Sequence, residues 1–319
     1  MSPRRPLTPA RTSIGVATLL ASLALTACAP AASTTGKQTV LASFYPLAFV
    51  AERVGGDLVD VDLLTPPGAE PHDVELSPAQ VRGVGEADLV VYLSGFQAAV
   101  DQAITARAPE HVVDAADAGV LHDDEDAGLA EEDGHDDEAE DADHDHEFDP
   151  HFWLDPTRLT AVAGHVADAL GAIDPENATT YEDAATALAG ELQQLDADFV
   201  TGLATCETSA FVTTHAAFGY LAERYGLEQI AISGIEPSTE PSPARLREVA
   251  DALAGRDVTT IFTETLVSPK VAQVLAADLG MATDVLDPIG GLADVDADVD
   301  YLSIMRANLE ALRTAMRCA

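Results

Sequence analysis

Four side chains in this sequence are of the kinds that hold a divalent metal, and all four stand in comparable places. His72 lies in "PPGAEPHDVELSP", His151 in "DPHFWLDP", His215 in "FVTTHAAFGYL" and Asp287 in "VLDPIGG". His72, His215 and Asp287 each follow a short apolar run that reads as a strand; His151 follows such a run and an acidic insert. Open α/β sheets bind ligands just beyond the carboxyl ends of their strands. Three imidazoles and one carboxylate make a four-coordinate set suited to zinc. Taken singly, a loop histidine is more often solvated or hydrogen-bonded for structure. Four ligand-type residues at equivalent strand ends, two from each half of the chain, point instead to one site where the halves meet. Glu264, in "FTETLVSP", stands at another strand end and reads as an acceptor for the second ring nitrogen of a ligand histidine, with a helix-capping or surface role as the alternative. His165, inside a helical stretch, and His111, opening a strand, read as structural. "DVDADVD", from Asp294 to Asp300, lacks the central glycine and the closing glutamate of a calcium loop and is set aside.

A second group of histidines has a different character. His122, His135, His144 and His146 lie in or beside a tract that carries 16 acidic residues and no Lys or Arg between Asp123 and Asp149. Such a segment is too charged to pack a core and can collect cations weakly, raising the local metal concentration beside the main site. The alternative reading is a solvated linker whose histidines are incidental. The tract runs into "HFWLDP", whose aromatic residues read as core.

Elements must position these side chains, and from Thr39 onward apolar runs alternate with amphipathic stretches. "TVLASF", "VDVDLL", "DLVVYL" and "HVVDA" read as strands, separated by helical "PLAFVAERVGG", "SPAQVRGVGEA" (Ser77 as cap, Pro78 in the first turn) and "FQAAVDQAITAR". "TRLTAVAGHVADALGAI" reads as a helix stopping at Asp174-Pro175, followed by a helix from Glu176 to about Ala204, which would be about 42 Å long. Alternation then resumes with strands "AFVTT", "LEQIAI", "VTTIFT" and "ATDVL" and a closing helix "YLSIMRANLEALRTAM". Such alternation implies parallel strands with right-handed crossovers. The fold class predicted is α/β: two (β/α)4 halves joined by one long helix. Residues 38–174 form the first half with the His- and acid-rich loop at 122–149, residues 175–204 the linking helix, and residues 205–319 the second half.

The 319 residues carry a formal net charge of −39, which excludes nucleic acid as a natural partner and favours a cation. Arg4, Arg5 and Arg11 precede an apolar run from Ile14 to Ala27 that ends in Leu25-Thr26-Ala27-Cys28. This resembles a bacterial lipoprotein signal, with residues 1–27 removed, Cys28 lipidated and residues 28–37 as a tether. The chain is thus expected outside the cytoplasm, anchored by lipid to the outer face of the cell membrane and acting as a monomer. Cys206 and Cys318 remain, and an even pair in an exported protein predicts a disulfide tying the last helix to the start of the second half. Two buried free thiols are the alternative.

The stretches "ASFYPLAFVAERVGGD", "TPPGAEPHDVELSP", "DPHFWLDP", "FVTTHAAFGYLAERYGL", "TETLVSPKVAQVLA" and "LDPIGG…DYLSIMRANLEAL" together resemble the metal-binding solute-binding proteins of bacterial ABC importers for zinc and manganese. The resemblance runs from about Leu41 to Leu312. It implies two (β/α)4 lobes, a rigid connecting helix, and a metal held between the lobes by His72, His151, His215 and Asp287. It also implies Zn(II) as the bound ion, because histidine at position 215 goes with zinc and glutamate there with manganese; imidazole suits zinc and extra carboxylate suits manganese. An ABC permease and its ATPase would be the partners. Zinc-type members often carry a His- and acid-rich loop before the second ligand histidine, as here. One departure is Val74, where the family often has an aromatic residue, read as a packing change. A manganese-preferring receptor, and a surface adhesin or metal buffer without a transport role, stay open as alternatives. The sequence contains neither HExxH nor GxSxG, so a metallohydrolase has no motif to rest on, and a non-enzymatic receptor is expected.

Overall fold

The first half folds as a parallel sheet whose strands are β1 (Gln38–Ala42), β2 (Val59–Leu63), β3 (Leu89–Tyr92) and β4 (Val112–Asp114), in the order β2-β1-β3-β4. The second half repeats the arrangement with β5 (Ala210–Thr213), β6 (Glu228–Ala231), β7 (Thr260–Thr263) and β8 (Ala282–Val285), in the order β6-β5-β7-β8. The α/β class expected from the sequence holds. These coordinates are a computed structural model that describes residues 36–121, 149–293 and 299–319. The leader, Cys28, the histidines 122, 135, 144 and 146, and residues 294–298 lie outside the described residues.

Period-2 alternation sorts the side chains of the central strands between two cores. In the first sheet, Val40, Ala42, Leu89 and Val91 point to one face, against α1 (Tyr45–Gly55) and α4 (Pro156–Ile173). Leu41 and Val90 point to the other and pack with Val84 of α2 (Pro78–Val84) and with Val100 and Ala103 of α3 (Ala98–Arg107). In the second sheet, Val212 and Ile261 face α7 (Pro243–Leu253) and α8 (Lys270–Leu279), while Phe211 and Phe262 face α6 (Gly219–Tyr225) and α9 (Tyr301–Ala315). Strands buried on both faces are what parallel sheets require. Val74 is buried with Leu41 and Val90, so an aliphatic side chain fills that place.

The linking helix α5 spans Ala178–Gly202, 25 residues and about 37 Å. Tyr181, Leu188, Leu192, Leu195 and Phe199 are spaced along one of its faces and are all buried. That face meets α4, α1 and α9. Each such side chain contributes roughly 1.5–3 kcal/mol by leaving water, so tertiary packing rather than helix propensity holds α5. The consequence is a core shared by both halves, in which residues from Val40 to Met316 belong to one cluster. From Lys37 onward the described residues accordingly form one compact unit. Cys206 and Cys318, just past α5 and α9, are joined by a disulfide.

Local sequence fixes the segments that approach the site. Ser77 and Gln80 form a reciprocal cap on α2, and Asp155 caps α4 through Thr157 with Pro156 in the first turn. Phe152–Leu154 make a single 3-10 turn whose three side chains are fully buried. Trp153 packs on Phe44 and donates its indole N–H to the Pro288 carbonyl of the second half at 2.7 Å. No helix among the described residues is long and apolar enough to cross a membrane.

Candidate metal centre

His72 stands on the segment between β2 and α2, His151 at the entry to the 3-10 turn before α4, and His215 just past β5. Among the described residues, these three form a group whose ligand atoms all lie within 4.8 Å of one another. The side chains of all three are buried, with 2–3% of their surface exposed. They line one small cavity together with Glu70, Pro71, Trp153, Leu266, Pro288 and Gly290. Phe96 packs edge-on against His72, and Trp153 lies against His151, so apolar rings close the inner wall.

Every imidazole has a carboxylate at Nδ1. His151 meets Asp149 at 2.7 Å, His215 meets Glu264 at 2.7 Å, and His72 meets Glu236 at 3.3 Å. A carboxylate accepts, so each ring carries its proton on Nδ1 and turns a bare Nε2 outward. The Nε2 atoms of His72 and His151 are 3.2 Å apart. Two lone pairs aimed at each other in a buried place repel unless a cation lies between them. Nitrogens coordinating a tetrahedral zinc at about 2.05 Å stand roughly 3.3 Å apart, close to the spacing found. Carboxylate–histidine pairs of this kind fix the tautomer and raise the donor strength of the free nitrogen.

Electrostatics favour the unprotonated rings. Burial, reinforced by the neighbouring His151 and His215, lowers His72 to about 2. Burial also lowers His151, against the opposing pull of Asp149. Both imidazoles are therefore neutral, ligand-ready bases at physiological pH. Burial pushes Glu70 up to about 7, with the His72 backbone N–H opposing that rise. Glu264 is buried; Oε1 accepts from the Thr214 hydroxyl and His215, while Oε2 has no hydrogen-bond partner.

The structure brings the three histidines together and leaves Asp287 outside their group of converging atoms. The Asp287 carboxylate accepts from the Ile289 N–H at 2.8 Å and the Thr265 hydroxyl at 2.9 Å, and its backbone is clamped by Asn308 of α9. Burial, its largest influence, raises its pKa. The following residues return to the site: Pro288 and Gly290 line the cavity, and Ile289 is held at φ 59°, a strained value for a β-branched residue. His165 is exposed on α4, and the His111 carbonyl accepts from Val90 beside β4. Glu264 meets the His215 ring at Nδ1. Three contributors escaped the sequence reading. Asp149 carried a local signal, two residues before His151, whereas Glu70 and Glu236 reach the site only through tertiary folding.

A family model described as zinc-uptake complex component A, periplasmic (ZnuA) matches residues 40–315. The zinc-binding lipoprotein AdcA of Streptococcus pneumoniae is 36% identical over 307 residues, covering 93% of this chain and 60% of AdcA. This chain thus spans less than two thirds of that relative's length. The high-affinity zinc uptake system protein ZnuA of Bacillus subtilis is 36% identical over 284 residues, 88% of each chain. Among solved structures, the Zn(II)-bound ZnuA-like domain of Streptococcus pneumoniae AdcA superposes with a TM-score of 0.70 at 34% identity, over 88% of this chain and 99% of that one. The laminin-binding protein Lmb of Streptococcus agalactiae, titled a bifunctional protein with adhesin and metal transporting activity, gives 0.72 at 32% identity over 88% and 99%. With the match running from β1 to the end of α9, the chain belongs to the ZnuA family of zinc-uptake components.

Proposed function

We propose that this chain is an extracytoplasmic receptor that captures Zn(II) and delivers it to the permease and ATPase of an ABC importer. The observation that carries the reading is the convergence of three buried imidazoles, each held at Nδ1 by a carboxylate and each turning Nε2 to one cavity. Three nitrogen donors favour zinc over manganese, which prefers oxygen-rich sites. Asp287 supplies the fourth donor in this reading, exchanging the Thr265 hydroxyl for the ion; its support is that Pro288 and Gly290 of the same segment already line the cavity. The relatives AdcA and ZnuA are named for zinc, and the leader ending in Cys28 supports a lipid anchor outside the cytoplasm. A set closed by four protein donors leaves no open position for a reacting water, so the reading is of a receptor rather than a hydrolase.

Metal analysis of the purified chain, followed by competition between zinc and manganese, tests this. One tightly held zinc that manganese does not displace is expected. His151→Ala and His215→Ala should each weaken zinc by more than the 10–100-fold typical of losing an outer partner, and Asp287→Asn should weaken it measurably. His165→Ala should leave it unchanged. Equal effects from all of them would place the site elsewhere, and preferential retention of manganese would overturn the choice of ion.

A further inference from the structure

The three carboxylates behind the ligand histidines differ in origin and in how firmly they hold. Glu264, with a side chain 1% exposed, ends β7 beside the strand that carries His215. Asp149, 24% exposed, holds His151 twice, through Nδ1 at 2.7 Å and the backbone N–H at 2.9 Å. Both partners come from the half of the chain that carries their histidine. Glu236 does not: it follows β6 in the second half, its side chain is 42% exposed, and it crosses to His72 of the first half at 3.3 Å. Its segment is laced to the loop bearing His215, since Ser233 donates to the Thr214 carbonyl and Ala216 donates to that of Gly234, each at 2.9 Å.

We propose that Glu236 is a positioning residue that fixes the His72 ring across the two halves, and that the His72–Glu236 pair is the catch that opens first when the ion leaves. A cation on Nε2 draws electron density from the ring and makes Nδ1–H a stronger donor. An ion in the site therefore tightens a contact between the halves, and tightens it through the segment that also carries His215. Loss of the ion loosens that contact. Of the three histidines, His72 has the longest and most exposed link, so its ring is the one that turns away with the least disruption. The inference rests on the reading of His72, His151 and His215 as zinc ligands.

The test is stopped-flow transfer of zinc from the loaded full-length chain to a chelator, comparing wild type with Glu236→Ala, Glu236→Gln and Glu240→Ala. Glu236→Ala should release zinc about 10–100-fold faster, with the association rate little changed. Glu236→Gln keeps an acceptor oxygen on the same stem and should recover most of the loss. Glu240→Ala, in the same surface segment, should match wild type. Thermal unfolding of the metal-free variants should coincide with wild type, since Glu236 is half exposed; a role in stability alone would shift the unfolding and spare the release rate. Release from Glu236→Ala at the wild-type rate, while His72→Ala releases faster, overturns the proposal. Zinc binding unaffected by both His72→Ala and His151→Ala overturns the ligand assignment beneath it.

Discussion

Gly290 of the second half stands where a Cβ atom would come within 2.7 Å of Cγ of Pro71, the residue before His72 in the first half. Position 290 therefore needs hydrogen as its side chain to let two metal-facing segments approach. Gly290→Ala must push Pro71, and His72 with it, away from the other two histidines. Overpacking of this kind costs about 1–3 kcal/mol, and the strain is relieved by opening the site. Zinc affinity by calorimetry should fall about 5–150-fold, with a smaller change in metal-free stability. Unchanged affinity would mean that Pro71 yields without moving His72.

The disulfide should matter for stability and not for metal. Cys206 and Cys318 are 112 residues apart in sequence and tie the ends of α5 and α9 together. Beside the bond, Glu207 donates its backbone N–H to the Met316 carbonyl, and Ala319 donates to that of Thr205. Closing so long a loop restricts the unfolded chain, and removing such a bond typically costs about 2–5 kcal/mol. Urea unfolding of the Cys206→Ser, Cys318→Ser chain should show a loss in that range, with one zinc still bound at its former affinity. Loss of the zinc site in parallel would show that this corner of the fold is coupled to the histidines.

High pH should unfold the protein through its tyrosines. Burial is the first cause holding Tyr45, Tyr92 and Tyr181 up to about 12, aided by Asp300 at Tyr45, Asp114 at Tyr92 and a hydrogen bond to Asp174 at Tyr181. In an unfolded chain these phenols ionise near 10. Above that pH the unfolded state sheds protons that the folded state keeps, so stability is full below about pH 10 and is lost as pH rises toward 12. Urea midpoints at pH 8, 10 and 11, read beside tyrosinate absorbance, should fall only in the upper interval. A midpoint that held steady to pH 11 would contradict the assignment.

The strands of both sheets and the long helix α5 were legible because apolar periodicity reports burial directly: the central strands read as largely apolar runs, and α5 repeats its apolar residues at helical spacing, whereas the strand order of the sheets was not legible. The shared core was not legible. Nothing along the chain says that the buried faces of α1, α4, α5 and α9 meet one another, so the sequence read as two separate halves. The three histidines could be found because topology places strand ends together. Glu236 could not, since its partner is 164 residues away and no local pattern marks it. Asp287 was singled out by its strand end, but the structure leaves it outside the histidine group, because Thr265 and Ile289, which only folding brings to it, occupy its carboxylate.

The acidic tract and the ligand beside it should be separable at a defined boundary. His122, His135, His144 and His146 are spread among like charges in the sequence, and any metal sites they make are expected to be weak. His151 is different, because Asp149 holds both its ring and its backbone, and the Tyr220 hydroxyl donates to the Asp149 carbonyl at 3.2 Å. The boundary is therefore expected before Asp149 rather than at the end of the charge run. Deleting residues 122–147 should remove the weak zinc equivalents from a calorimetric titration and leave one tight site. A longer deletion that takes Asp149 as well should weaken the tight site about 10–100-fold, although it removes only two more residues. If the shorter deletion abolishes tight binding in a chain that is still folded by circular dichroism, the tract belongs to the primary site and the boundary drawn at Asp149 is wrong.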